Sequence, residues 1–495
     1  MANVDRPSAA SFALSVDPTR AGFALLVACL LAFAAAQVDL WSRNGFWIDE
    51  YFSLWASDPA LPLTRLLAER ILPDTNPPLY FSLLSLVRLV IDDPRSGFLA
   101  LNATAIALTS WYVFARGRTA GAPATALLAI ALFLISGPVL HYAPEGRAYL
   151  FGLCAAFAIA WSSAQALEHG QREKDLFSFA VLGALAALSH VFAALFAGAF
   201  AAALLVEAVL SRRVELLRIA LALGVSATAV CGVWLIFALP NMSNVGWIEF
   251  SLASVREALW YVRQLTFGHA AIALGVVAFM AWSARRRVLW PQARLCAVAM
   301  TLFAILPILA SFFTPLITGR YWLIGAPAIL VFVTLALRCE FKVASAGGPS
   351  ARAAAATGAL GAALMLAASV LGFANAQTFI MAKPVWRGAP LVAPLLENCA
   401  AGSVRVWDNH LYATASGAPA ATFVEADESS APAAGDCPVL GWAEHVRLGD
   451  EYLQTASDAE LLALMNIPAA PAEVRIARHS SGFVVLRADA NRGGT

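Results

Sequence analysis

Charged residues are scarce in this chain. Of its 495 residues, 13% are Asp, Glu, Lys or Arg and 60% are hydrophobic, and the mean hydropathy is +0.71. Apolar runs of about 20 residues, the length that crosses a bilayer, recur along most of the sequence. The formal net charge of +1 gives no indication of nucleic-acid binding. The composition therefore predicts an all-α polytopic membrane protein.

Cysteine patterns typical of metal or redox sites are also missing. The seven cysteines include no CxxC pair and no Cys/His spacing of a zinc site. Two of them, Cys399 and Cys437, lie in the less apolar C-terminal part. The other five lie in or beside apolar runs and are most simply small core residues: Cys29, Cys154, Cys231, Cys296 and Cys339.

The distribution of Lys and Arg predicts the topology. The positive-inside rule places basic loops, together with the N-terminal tail, in the cytoplasm. The basic loops contain Arg116 with Arg118, Arg212 and Arg213 with Arg218, residues 285–287, and Arg338 with Lys342 and Arg352. About eleven spans follow, near 22–40, 97–115, 123–140, 148–167, 176–192, 193–210, 219–239, 268–284, 294–312, 321–337 and 354–376.

This topology divides the chain into a transmembrane domain, 1–376, and a small external α/β domain, 377–495, with a first external loop at 41–96. An odd number of spans places the C-terminal domain outside. A disulfide between Cys399 and Cys437 is expected there if the compartment is oxidising. Residues 78–91 could be a further span, but Arg88 interrupts them. We interpret this segment as a helix at the membrane interface.

An acidic pair stands in the stretch "GFWIDEYFSLW", directly after the first span. Asp49 and Glu50 are too costly to bury in hydrocarbon, at about 2.5–3.5 kcal/mol per charge, so they mark the membrane surface. Two interpretations remain open at this point. The acids could favour the positive end of a helix dipole, or one of them could be a general base held beside the membrane.

Three further constellations fall at the non-cytoplasmic ends of spans. In "HYAPEGRAYLF", Glu145 and Arg147 could pair with each other, or Arg147 could bind an anion, since its planar fork suits phosphate. In "TGRYWL", Arg320 and Tyr321 could be interfacial anchors or could hold a lipid phosphate. The remaining candidates are His141, Tyr80 in "NPPLYFSLL", and His190 in "ALSH", which is either a structural residue or a ligand of phosphate or metal.

The ordered set of an early acidic pair, "NPPLYFSLL", "EGRAYLF" and "GRYWL" resembles the GT-C glycosyltransferases. It is most similar to the branch of the protein O-mannosyltransferases and the bacterial lipid A glycosyltransferases. "KPVWRGAPLVAPLL", Lys383 to Leu396, is similar to the opening of the external domain in many bacterial members. One departure lies near "FLALNATA", where related proteins usually carry an arginine and this chain has none.

The resemblance implies an inverting glycosyltransferase of the bacterial inner membrane that uses a polyprenyl-phosphate-linked sugar at the periplasmic face. The acceptor hydroxyl would belong to a glycan, a lipid or a protein. Asp49 would be the base and Glu50 would orient the loop or the acceptor, while Arg147 and Arg320 would stabilise the leaving phosphate. Some relatives use a divalent metal, for which the candidate ligands are Glu50, Glu145 and His190. A flippase for a lipid-linked sugar and a non-catalytic assembly subunit are the rival classes.

Overall fold

The computed structural model describes most of the transmembrane region and parts of the C-terminal region. The described residues are 18–43, 47–169, 173–240, 250–312, 317–347, 349–382, 395–396, 399, 403–407, 423–425, 437–444, 455–468, 471–479 and 482–488. Residues 383–394, which make up most of the predicted domain-opening segment, lie outside them.

Helices occupy the chain as far as residue 382, and short strands follow. The helices are α1 (Pro18–Arg43), α2 (Ile48–Ala56), α3 (Leu63–Leu66), α4 (Leu79–Arg88), α5 (Pro94–Thr119), α6 (Pro123–Leu134), α7 (Gly137–Tyr142), α8 (Tyr149–His169), α9 (Glu173–Ser189), α10 (Val191–Ser211), α11 (Val214–Ala238), α12 (Leu252–Phe267), α13 (Ala270–Ala284), α14 (Trp290–Ala310), α15 (Gly319–Trp322), α16 (Ala326–Ser345), α17 (Ala351–Ala382) and α18 (Asp458–Leu464). A π-helical turn, Leu67–Ile71, continues α3.

The chain is a multi-pass integral membrane protein, as predicted. Among the described residues, eight helical segments are long and apolar enough to cross a membrane, or nine if α12 and α13, which meet at 74°, form one span. Eight of the eleven predicted spans fall on these eight segments. The segments near 123–140, 176–192 and 268–284 do lie on helices, but α6, α9 and α13 have only 12, 17 and 15 residues.

Local breaks explain why these helices are short. The proline at position 138 starts a new helix, α7, because it has no N–H for a continuous helical ladder. His190 has an extended backbone, with φ −162° and ψ 140°, and its Nδ1 accepts from the N–H of Phe192, so it caps α10 instead of continuing α9. Gly268, at φ +74°, ends α12 just before α13.

Helix α4 is too short to cross the bilayer. Its 10 residues extend about 15 Å, half of a hydrocarbon core of about 30 Å. This length agrees with a helix at the interface. Arg88, which interrupts the apolar run, donates from Nη1 to the carbonyl oxygen of Leu54 at 2.6 Å and to the Ser57 hydroxyl at 3.2 Å. It thus satisfies a carbonyl near the C-terminal end of α2.

Two helices form the centre of the transmembrane region. The apolar windows of the spans that contain α8 and α16 are 89% and 83% buried inside the protein, whereas that of α1 is 11% buried and faces outward. Arg147 lies two residues before α8, and Arg320 lies in the short helix that leads into α16. The two candidate phosphate-binding arginines therefore lie just before the two innermost helices.

The C-terminal region contains a five-stranded mixed sheet. Its strands are β1 (Val404–Trp407), β2 (Phe423–Glu425), β3 (Val439–Glu444), β4 (Val474–His479) and β5 (Gly482–Arg487), in the order β2-β1-β3-β5-β4. Strand β1 runs parallel to both neighbours, and β5 runs antiparallel to β3 and β4. A disulfide joins Cys399, before β1, to Cys437, before β3.

Candidate active site

Helix α2 presents the acidic pair in its first turn. Glu50 reaches back and accepts from the backbone N–H of Trp47 through Oε2 at 3.3 Å, which satisfies one of the free donors at the helix start. Asp49 and Ser53 lie one turn apart on the same side, and the Ser53 hydroxyl donates to the Asp49 carbonyl at 3.0 Å. The helix start thus directs the two carboxylates differently.

Asp49 lies between two guanidinium groups. Arg320 donates from Nη1 to Asp49 Oδ2 at 2.8 Å, and the Nε atom of Arg147 lies 4.0 Å from the same oxygen. Arg147 also donates to the Asp49 carbonyl at 3.0 Å and to the Ser53 hydroxyl at 3.4 Å. The Asp49 side chain remains 26% exposed. Asp49, Arg147 and Arg320, separated by up to 271 residues, therefore form one cluster that solvent or a substrate can reach.

Glu50 is enclosed. Its exposure is 1%, and its Oε1 atom accepts from the N–H of Gly146 at 2.8 Å. This bond ties α2 to the turn that precedes α8. The burial of Glu50 leaves Asp49 as the more accessible carboxylate of the pair.

The turn that carries Arg147 is held by an asparagine that sequence reasoning missed. Asn102, fully buried in α5, donates from Nδ2 to the carbonyl oxygens of Ala143 at 3.0 Å and Glu145 at 2.7 Å. Gly146 is required in this turn, since a Cβ atom there would lie 2.3 Å from the Phe98 ring. An asparagine in an otherwise apolar span was the available signal, because buried polar residues in spans mark functional contacts.

Arg320 is surrounded by aromatic residues. Its guanidinium lies 5.3 Å from the centre of the Trp47 ring, within the range of a cation–π contact. Its Nη1 atom is 3.4 Å from the hydroxyl oxygen of Tyr149, and its carbonyl accepts from the Tyr142 hydroxyl at 3.2 Å. Trp47, Tyr142 and Tyr149 stood inside the quoted motifs, but their roles could not be assigned without the position of Arg320.

A cavity of about 730 Å³ opens beside this cluster. Within it, His141 Nε2 lies 3.0 Å from the hydroxyl oxygen of Tyr261 and 3.4 Å from Glu145 Oε1. Its lining includes Trp47, His141, Tyr142, Glu145, Tyr149, Glu257, Trp260, Tyr261, Arg320 and Phe379. Aromatic faces with a few acids and hydroxyl groups can accommodate a hydroxylated organic molecule next to Arg320.

Residues 75–237 match the family model of the dolichyl-phosphate-mannose-protein mannosyltransferases. The crystal structure of ArnT from Cupriavidus metallidurans bound to undecaprenyl phosphate superposes with a TM-score of 0.57 at 14% identity, over 94% of this chain and 99% of that one. The chain has the GT-C glycosyltransferase fold.

A second solved structure agrees with this result. ArnT in the apo state matches with a TM-score of 0.54 at 14% identity, over 92% of this chain and 97% of that one. A search of curated proteins finds no match. The expected resemblance to the GT-C glycosyltransferases is confirmed at the level of the fold.

In this GT-C fold, the remaining candidates lie around the cluster without contacting Asp49. The rings of Tyr149 and Tyr321 each lie 5.3 Å from the His190 ring. His190 is 3% exposed, and its Nε2 atom has no hydrogen-bond partner in the described part of the chain. Tyr80 is fully buried and packs edge-on against Phe151, at 5.4 Å between ring centres. Tyr80 thus packs against the start of α8.

The three candidate metal ligands do not come together. Glu50 accepts from two backbone N–H groups, Glu145 lies against His141, and His190 accepts from the N–H of Phe192 through Nδ1. Among the residues that the structure describes, no group of three or more His, Cys, Asp or Glu side chains is arranged to hold an ion. These residues therefore do not fit a metal centre.

Asp74 is a further acid at the site that the motifs did not single out. Its Oδ1 atom accepts from the backbone N–H of Asn76 at 2.5 Å and from its side chain at 2.9 Å. Burial raises the pKa of Asp74 to about 6, against the lowering effect of the Asn76 donors and of the Arg147 charge, and Asp49 adds a smaller raising effect. Asp74 thus adds a second, weakly acidic carboxyl to the Asp49–Arg147 region.

Proposed function

We propose that the protein is an inverting glycosyltransferase that moves a sugar from a polyprenyl phosphate to an acceptor hydroxyl at the periplasmic face of the bacterial inner membrane. The observation that carries this proposal is the cluster of Asp49 with Arg147 and Arg320, of which Arg320 lines the cavity. A partly exposed carboxylate is available as a proton acceptor, and two guanidinium groups are available for an anion.

The lipid-phosphate donor is supported by the ArnT comparison. That protein was crystallised with undecaprenyl phosphate, and its fold extends over 94% of this chain. In this chain Arg320 contacts Asp49 Oδ2. A donor phosphate is a competing anion for Arg320, so its binding would release Oδ2 to accept a proton. Donor binding and activation of the carboxylate would thus be linked through one guanidinium group.

The proposed reaction has one displacement step. The acceptor oxygen forms a bond to the anomeric carbon while the bond from that carbon to the lipid-phosphate oxygen breaks, and the configuration inverts. Asp49 takes the acceptor's proton, and the phosphate leaves with the electron pair. Arg147 and Arg320 stabilise the charge that grows on the phosphate, which is where fixed positive groups lower the barrier most. Glu50 holds the helix that carries the base.

The proposed orientation of the protein follows from which parts of the chain lie on the same side of the membrane. Tyr51 of α2 packs in one apolar cluster with residues of the C-terminal sheet, so both lie on the side of the Asp49 cluster. Arg118, at the opposite end of α5, belongs to a basic loop that the positive-inside rule assigns to the cytoplasm. This arrangement supports a cytoplasmic N-terminus and a periplasmic C-terminal domain.

The acceptor would enter the cavity beside Arg320. Trp260, Tyr261 and Phe379 supply aromatic surface, while Glu145 and Glu257 supply hydrogen-bond acceptors. Such walls suit the apolar faces and hydroxyl groups of a sugar or a similarly hydroxylated acceptor, which could belong to a glycan, a lipid or a protein.

The proposal is tested with purified protein in nanodiscs and a panel of undecaprenyl phosphoryl hexoses and pentoses. Release of undecaprenyl phosphate should depend on an added hydroxyl acceptor, and NMR should show an inverted anomeric configuration. A strict requirement for a nucleotide sugar would refute the lipid donor. Movement of the lipid-linked sugar across liposomes with its glycosidic bond intact would favour the flippase class.

A further inference from the structure

Helix α2 is buried on a second side that plays no part in the proposed reaction. Tyr51, which follows Asp49 and Glu50, is 7% exposed and belongs to an apolar cluster of the C-terminal domain. This Tyr51 cluster contains Tyr51, Leu396, Val404, Val406, Cys437, Val439, Trp442 and Val484, with Leu54, Leu395 and Cys399 packed against it. The helix that carries the proposed base thus touches the soluble domain.

The disulfide lies within the same cluster. Cys437 is 2% exposed, and its partner Cys399 packs at the cluster's edge next to Leu395 and Leu396. The bond links the segment that precedes β1 to the start of β3. The disulfide therefore cross-links two segments of the surface against which Tyr51 is buried.

The other face of the sheet has a core of its own. This α18 cluster contains Ala443, Ala456, Leu461, Leu462, Met465, Ile467, Val474, Phe483 and Val485. It shares no residue with the Tyr51 cluster, since Phe483 and Val485 alternate along β5 with Val484, which faces the other way. The domain can therefore be weakened on one face without removing contacts around Tyr51.

Helix α2 depends on such outside contacts for its position. It has nine residues, and isolated helices shorter than about 12–15 residues are marginal in water. Glu50 holds one end through Gly146, and Arg88 holds the other through the Leu54 carbonyl. Arg147 also donates to the Asp49 carbonyl and the Ser53 hydroxyl. The buried Tyr51 ring adds a contact on another side of the helix, with the C-terminal domain.

We propose that the C-terminal domain positions the catalytic helix, with Tyr51 as the positioning residue that keeps Asp49 directed at Arg147 and Arg320. This inference rests on the proposed role of Asp49 as the base. A misplacement of about 1 Å at a reacting group can cost about a hundredfold in rate. The Tyr51 cluster would thus contribute to turnover without touching a substrate.

The test compares variants of the full-length protein in nanodiscs, with the undecaprenyl phosphoryl sugar that gives the highest rate in the panel described above. Tyr51→Ala should lower kcat about 10–100-fold and change the KM for that donor less than about threefold. Tyr51→Phe keeps the ring and should lose less activity than Tyr51→Ala. Leu461→Ala, the matched control on the opposite sheet face, should lower the melting temperature and leave kcat close to wild type.

A second arm uses the disulfide. Cys399→Ser combined with Cys437→Ser should lower kcat in the same direction, and adding Tyr51→Ala should give less than the product of the two losses, because both changes open one cluster. This arm also tests the proposal if Tyr51→Ala does not accumulate as a folded protein.

Three results would overturn the positioning role. They are a wild-type kcat in folded Tyr51→Ala, an equal loss of kcat in Leu461→Ala, and full multiplication of the Tyr51 and disulfide losses. The proposed role of Asp49 as the base is refuted separately, by a folded Asp49→Asn variant that remains active. This outcome does not depend on the result for Tyr51→Ala. If both roles hold, Tyr51→Ala should cause no further loss in an Asp49→Asn background.

Discussion

Asp49→Asn separates a chemical role of this carboxylate from a structural one. The substitution is nearly isosteric and removes the negative charge that contacts Arg320 at 2.8 Å. Both side chains of this pair are about a quarter exposed, at 26% and 24%, and exposed ion pairs contribute about 0–1 kcal/mol to stability. Loss of a general base costs about 10²–10⁴ in rate, or roughly 3–5 kcal/mol. The catalytic loss should therefore far exceed the loss of stability.

The assay is acceptor-dependent release of undecaprenyl phosphate by purified protein, measured together with the melting temperature. We expect kcat to fall at least about a hundredfold. The KM for the donor should stay equal or decrease, because Arg320 no longer has a carboxylate that competes with the phosphate. A purely structural Asp49 would instead lower the melting temperature and raise the KM.

Asp58→Asn is the matched control. Asp58 lies just after α2, pairs with Arg70 at 3.4 Å, and is 27% exposed, so it is an arginine-paired carboxylate of similar exposure that does not line the cavity. It should retain wild-type turnover. If folded Asp49→Asn keeps more than about a tenth of the wild-type rate, the base lies elsewhere and Glu145 becomes the next candidate.

Three further predictions follow from the same contacts. Arg320→Ala should weaken donor use by about 1.5–3 kcal/mol, seen as a higher KM for the donor with little change for the acceptor, and unchanged donor dependence would contradict phosphate binding. Asn102→Leu leaves two carbonyls without this donor and should lower the melting temperature, at about 1–3 kcal/mol per carbonyl, whereas Thr104→Ala, on an exposed turn of the same helix, should not. The raised pKa of Asp74 means that its protonated form favours folding, so this stabilisation is present below about pH 4 and is lost as pH rises through about 6. The melting temperature of Asp74→Asn should therefore change less between pH 5 and 7.5 than that of the wild type, and equal pH profiles would contradict the assigned pKa.

The sequence predicted what depends on short-range physics. Scarce charge and long apolar runs identified the membrane protein, and the cost of burying Asp49 placed it at the membrane surface. The exact ends of the spans were harder to predict from the sequence. The helix breaks at His190 because this side chain caps α10, and it could equally have paired elsewhere. Composition alone does not distinguish that choice.

Contacts between distant residues were beyond sequence reasoning. Arg320 was expected to hold a phosphate, but its contact with Asp49 depends on how α8 and α16 pack in the centre of the protein. Asn102 lies in the quoted stretch "FLALNATA" but was not singled out, and its two carbonyl partners lie more than 40 residues away. Such pairings require the three-dimensional arrangement, since a single chain gives no signal of which polar residues meet.

The sequence separation of 271 residues between Asp49 and Arg320 also means that the two residues are synthesised at different times. At about 5–20 residues per second, the ribosome adds Arg320 roughly 15–55 s after Asp49. Gly146, the partner of Glu50, follows Glu50 by 96 residues, or roughly 5–20 s. In the nascent chain, α2 can therefore form its contact with Gly146 before Arg320 has been added. The Asp49 carboxylate gains its contact with Arg320 only later. A chain that ends before Arg320 lacks one of the two arginines at Asp49, so this cluster is complete only after most of the helices have been synthesised.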